Sequence, residues 1–167
     1  KELIQQGLGG VAKQTSSAPA KHLITICNQI VNFFGIMQNE WAGAQSFSSF
    51  DTYLAPFVRM EHLSFDEVKQ SMQTLIYGLN TPSRWGTISP FANICFDWTV
   101  PEDLAKRPAI VGGEEQDFTY GDCQDEMAII NRAFLEVILE GDAEGNIFSF
   151  PIPTYAITKK FDWNSEN

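Results

Sequence analysis

The chain has 167 residues, of which 44% are hydrophobic and 13% aromatic, enough to bury a core and to exclude a disordered tail. Eleven lysines and arginines against 21 aspartates and glutamates give a net charge of −10, which excludes a protein that coats nucleic acid with clustered basic charge. A local basic pocket for a phosphate stays open, because net charge does not describe one site.

The first residues, Lys1 to Ile4, contain no initiator Met and no secretory apolar segment, so a piece of a longer chain is expected. Residues 7–19 are rich in Gly, Ser and Thr and read as a loop. A helix is expected over about 20–40. Leu23, Cys27, Ile30, Phe34, Met37 and Trp41 recur on one face, and Ile24, Ile26, Val31 and Phe33 widen the stripe. So broad an apolar surface is buried on more than one side, in a core or against a partner subunit. The longest apolar stretch, around Ile30 to Met37, is interrupted by Asn32 and flanked by Gln29 and Gln38, and is too short and polar to cross a membrane.

Residues 42–49 are small and polar, and an apolar character resumes over Phe50–Val58. Ser64 followed by Glu67 is the spacing of a capping box, and a helix is expected over about 65–79, with Phe65, Val68, Met72, Leu75, Ile76 and Leu79 lining one face. Residues Asn80 to Gly86 stop it. A buried strand is expected over about 91–98, then a polar loop over 101–119. A third helix should cover about 122–140, ended by Gly141. Residues 147–157 read as an irregular strand interrupted by Pro151 and Pro153. Helices alternating with strands predict an α/β fold with parallel strands.

The chemistry-bearing residues are few. Gly7–Gly10 lacks the spacing of a phosphate-binding loop, and Asp142–Asn146 lacks the closing Glu of a calcium loop. His22 and His62 have no ligand partner at helical spacing. The three cysteines form no CxxC, which points away from zinc or a redox dithiol and toward a reducing cytoplasm. Cys27 and Cys95 fall at apolar positions and read as small core residues, while Cys123 sits among Asp122, Asp125 and Glu126, which oppose a thiolate. The polar run Asn80–Thr87, with its lone Arg84, offers donors to an anionic ligand; the same residues also suit a helix-terminating loop.

Several strings resemble one family. The run from Gln38 to Val58 (QNEWAGAQSFSSFDTYLAPFV), Asn80 to Gly86 (NTPSRWG) with Ser89 to Asn93 (SPFAN), and Phe150 to Tyr155 (FPIPTY) resemble the anaerobic (class III) ribonucleoside-triphosphate reductases, in the right order over nearly the whole chain. The resemblance implies a segment of a ten-stranded α/β barrel of the glycyl-radical type, with long helices outside it and at a dimer interface. It implies reduction of ribonucleoside triphosphates to 2′-deoxyribonucleoside triphosphates in the cytoplasm, with a glycyl radical made by an S-adenosylmethionine/iron–sulfur activase. Nucleotide effectors (ATP or dNTP) and a zinc site in the C-terminal region belong to the same pattern.

The radical and zinc residues of that pattern match none of Cys27, Cys95 and Cys123, so no catalytic residue is expected in this segment, which alone should be inactive. The substrate contacts expected from it are Asn80, Thr81, Ser83 and Arg84. Gln29, Asn32 and Gln38 on the long helix are the expected effector or dimer-interface positions. Another glycyl-radical enzyme, or a non-catalytic nucleotide-binding or assembly module, is the alternative.

Overall fold

In the computed structural model, residues 2–9, 16–41, 43–81, 89–159, 161 and 163 are described. A short helix α1 (Glu2–Gln6) precedes the long α2 (Leu23–Glu40). The strand β1 (Gln45–Phe47) leads into α3 (Phe50–Glu61) and α4 (Phe65–Asn80). Next come β2 (Ala92–Phe96), a one-turn α5 (Glu102–Ala105), and the hairpin β3 (Pro108–Val111) and β4 (Glu114–Thr119). A 3-10 turn (Tyr120–Cys123), α6 (Gln124–Glu140) and β5 (Ile152–Tyr155) complete it.

The strands β1, β2 and β5 form one sheet in the order β1-β2-β5, parallel at both junctions. Each parallel neighbour is reached through helices, as a parallel pair requires. One face of this sheet is closed. Phe47, Ala92, Ile94 and Phe96 sit in a continuous core with Ile30 and Phe34 of α2, Leu54 and Phe57 of α3, Met72 and Leu75 of α4, and Ile130 and Phe134 of α6. Helix α4 lies between α2 and α6, and α3 lies against α6 and β2. Gly78 lets α4 approach α2: a Cβ there would stand 2.9 Å from the Val31 Cγ2.

The capping box at Ser64 forms. Its backbone N–H donates to Glu67 Oε2 at 2.8 Å, and its hydroxyl accepts from the Glu67 backbone N–H. Bonding to Ser64 holds the Glu67 carboxyl below its ordinary value.

The structure departs from the sequence reading in four places. Residues 50–61 form a helix despite Pro56, because eight of its first nine residues are buried and tertiary packing outweighs the missing N–H. The expected loop over 101–119 holds an antiparallel hairpin, whose two-residue turn is Gly112 and Gly113 with φ of 66° and 81°. Those left-handed angles match a type I′ hairpin turn. The strand expected over 147–157 is confined to Ile152–Tyr155 and lies mostly exposed. The strand expected to be buried on both faces, at 91–98, instead alternates buried and half-buried residues, so Cys95 is not a core residue.

Candidate functional site: the open face of the parallel sheet

The other face of the sheet carries polar side chains. The register pairs Ser46 with Asn93 and Cys95 with Thr154, and residues paired across parallel strands share a face. Asn93 is the hub. Its Oδ1 accepts from the Ser46 hydroxyl at 3.3 Å and from the Cys95 thiol at 3.2 Å, and its Nδ2 donates to the Thr154 hydroxyl oxygen at 3.0 Å. Ser46 Oγ and Cys95 Sγ also lie 3.2 Å apart. Ser46 and Thr154 are exposed, and Asn93 and Cys95 half-buried. Every one of these groups is neutral and offers short-range donors and acceptors, the chemistry that suits hydroxyls or an amide better than a bare charge.

Two clefts open at the carboxyl ends of these strands, where open parallel sheets receive ligands. One, of about 470 Å³, is lined by Ser46 and Phe47 at the end of β1, by Ser48, Ser49 and Tyr53, and by Phe33 of α2. The other, of about 400 Å³, lies past β2 and β5, between Asp97, Thr99 and Val100 on one side and Ala156, Thr158 and Lys159 on the other.

The turn that follows β2 is held from below by a buried acid. Asp51, in the first turn of α3, is fully buried. Its Oδ1 accepts from the Asp97 N–H at 2.8 Å, and its Oδ2 accepts from the Trp98 N–H and the Asn131 Nδ2, each at 2.9 Å. Burial pushes its carboxyl above the ordinary 3.8 while these donors pull the other way. Trp98 sits at φ 64°, a costly angle for a bulky residue. Its carbonyl accepts from Gln124 Nε2 at 3.1 Å, and the neighbouring Thr52 hydroxyl donates to Asp97 Oδ2 at 2.6 Å. The strain is thus overdetermined by α3 and α6, beside a cleft.

The residues singled out in the sequence fall in different places. Ser83 and Arg84 lie outside the described residues. Asn80 and Thr81 spend their side chains on backbone groups: Thr81 Oγ1 donates to the Tyr77 carbonyl at 2.8 Å, and Asn80 Nδ2 to the Ile76 carbonyl at 2.7 Å and to the Phe150 carbonyl. On α2, Gln29 points inward. It is buried, and its Nε2 donates to Ser17 Oγ at 2.9 Å and to the Ala18 carbonyl at 2.8 Å, so it ties the helix to the segment before it. Asn32 is exposed and Gln38 is half-buried. Asn32 shares its surface with Ile24, Asn28, Ile36 and Asn39, and no charged residue occurs from Leu23 to Asn39.

Cys27 and Cys123 are buried, and desolvation pushes both thiols up to about 12. Among the described residues no group of three His, Cys, Asp or Glu side chains is arranged to hold a metal ion, and no helix is long and apolar enough to cross a membrane. The polar face itself was missed in the sequence. The signal was the alternation Ala92-Asn93-Ile94-Cys95-Phe96, hidden because cysteine was counted as apolar.

Comparison with known proteins places this architecture. Three crystal structures of the anaerobic ribonucleotide reductase from Thermotoga maritima superpose on the chain. The one with citrate in the active site has a TM-score of 0.71 at 23% identity, over 93% of this chain and 28% of that one. The one with dATP bound in the specificity site has a TM-score of 0.69 at 25% identity, over 92% and 27%. The one with MES in the active site has a TM-score of 0.68 at 27% identity, over 93% and 26%. The chain therefore spans between a quarter and a third of the length of these structures. A search of curated protein sequences finds no match. The family model for anaerobic ribonucleoside-triphosphate reductase matches residues 1–167, from end to end, and the chain belongs to that family.

Proposed function

We propose that the chain is a segment of the catalytic barrel of an anaerobic ribonucleotide reductase, and that the open polar face of its sheet looks onto the ribonucleoside triphosphate. One observation carries this reading. The helices close one face of the sheet over β1 and β2, and the other keeps a bonded row of neutral polar groups, Ser46, Asn93, Cys95 and Thr154, that ends in two clefts. In a ten-stranded barrel that row would line the interior. Among the described residues, one Asn93 amide hydrogen and the Thr154 hydroxyl hydrogen are left to meet a ribose hydroxyl.

The reaction would be reduction of the 2′-position by glycyl and thiyl radical chemistry, with the glycyl radical supplied by an S-adenosylmethionine/iron–sulfur activase. In this segment Cys27 and Cys123 carry no part of it, since both are buried in the helical core, away from the open face of the sheet. Arg84, with Ser83, would be the phosphate partner, and Asn80 and Thr81 frame the segment that bears them. The uncharged exposed surface of α2, with Asn32 at its centre, would meet a second subunit and the nucleotide effector. A structural relative carries dATP in a specificity site, which fits an effector role.

The test is kinetic and uses a full-length reductase that contains this chain. Asn93→Ala should lower kcat/KM for the ribonucleotide by at least about a hundredfold, in the range of a lost transition-state hydrogen bond, with the fold unchanged by circular dichroism. Arg84→Glu should raise KM. Unaltered kinetics in Asn93→Ala would remove the polar face from the active site.

A further inference from the structure

The strand β5 is poorly equipped to find its own place. Pro151 and Pro153 have no N–H to give to a ladder, and the strand is only four residues long. Ile152, Pro153 and Thr154 are all exposed, and Tyr155, whose ring stacks on Phe96 with centroids 5.2 Å apart, is the one residue of the strand that packs against the core. A slip of one residue would turn Thr154 away from Asn93 and put Pro153 or Tyr155 in its place. With a single core anchor inside the strand, a contact outside the ladder is needed to hold the end that precedes it.

Asn80, the last residue of α4, has the required geometry. Its Oδ1 accepts from the backbone N–H groups of Ser149 and Phe150, both at 3.1 Å, and its Nδ2 donates to the carbonyl of Phe150. The second amide hydrogen goes to the Ile76 carbonyl at 2.7 Å, which locks the side chain onto its own helix. Its backbone carbonyl accepts from Ser89 Oγ at 3.0 Å, and the Phe91 and Phe150 rings meet with centroids 5.1 Å apart. One side chain thus joins a rigid helix end to the chain just before β5, beside the start of β2.

We propose that Asn80 is a positioning residue that pins the register of β5 against β2 and so delivers Thr154 to the polar face. Its amide is fully committed to backbone groups, and its effect on any ligand runs through Thr154. The importance of Thr154 rests on the nucleotide-facing reading; the pinning itself does not, and its test needs no nucleotide.

The experiment compares Asn80→Ala with Asn80→Asp in a full-length reductase that contains this chain, by peptide-resolved amide hydrogen exchange and by the alkylation rate of Cys95. The aspartate keeps both acceptors for Ser149 and Phe150; the alanine has none. In Asn80→Ala, exchange at Ser149 and Phe150 should quicken by at least about tenfold, and Cys95 should alkylate severalfold faster once Thr154 leaves Asn93. Asn80→Asp should stay close to the parent on both readouts. Parent-like exchange in Asn80→Ala, or equal acceleration in both variants, overturns the proposal. If Asn80→Ala does not fold, Asn80→Asp decides alone: protected amides support the pin, and unprotected amides overturn it.

Discussion

The two faces of the strand β2 differ residue by residue. Ala92, Ile94 and Phe96 point into a core built by four helices, while Asn93 and Cys95 point to a surface that no element among the described residues covers. The closed face is held by packing, in which Phe96 meets Phe50, Phe134 and Tyr155 at ring-centroid distances of 5.5, 4.7 and 5.2 Å. The open face is held by hydrogen bonds of its own side chains. The contrast separates what folds the chain from what meets a ligand, and substitutions on the two sides should have opposite signatures.

The largest expected effect is on the closed face. Phe96→Ala should cost about 3–5 kcal/mol by loss of buried area and creation of a cavity, read from urea unfolding. Cys95→Ala, one residue away, should cost within about 0.5–1 kcal/mol. Similar losses for both would erase the distinction.

The turn after β2 comes next. Asp51→Asn puts an amide against donors already aimed at a carboxylate and should cost about 1–3 kcal/mol. The same substitution has a pH signature. Burial holds the Asp51 carboxyl above 3.8, so the folded chain binds that proton more tightly than the unfolded chain. This group's contribution to stability therefore falls as pH rises from 3.8 toward its folded value. Asp51→Asn should remove that component of the slope, and an identical pH dependence in both proteins would contradict the assignment.

Smaller effects sharpen the helical side. Gly78→Ala should cost about 1–2 kcal/mol, because the clash with Val31 outweighs the gain in helix propensity, and Val31→Ala should restore most of it. Ser64→Ala should cost about 1 kcal/mol through loss of the helix cap. Neither should change the alkylation rate of Cys95.

The helices at 65–79 and 122–140 were legible because apolar spacing and caps agreed with one another, as at Ser64 and Glu67. The helix at 50–61 was not, because Pro56 and the serines before it argue locally against a helix and only burial of Phe50, Leu54 and Phe57 overrides them. The hairpin was legible in principle, since Gly112-Gly113 between Val111 and Glu114 is a turn signal, but the charged residues around it masked the strands. The polar face depended on where Cys95 points, which alternation decides and residue type does not. The role of Asn80 depended on a contact with residues 69 and 70 positions away, which no local pattern contains. The inward turn of Gln29 has the same origin, a contact with Ser17 and Ala18 that helical spacing did not anticipate.

The most direct test of the open face as the nucleotide-facing surface is the alkylation of Cys95 in a full-length reductase, with and without a ribonucleoside triphosphate. Cys27 and Cys123 serve as buried internal controls in the same sample. Protection of Cys95 that grows with nucleotide concentration, with both buried thiols unlabelled throughout, is the predicted result. A Cys95 rate that saturating nucleotide leaves unchanged would contradict it.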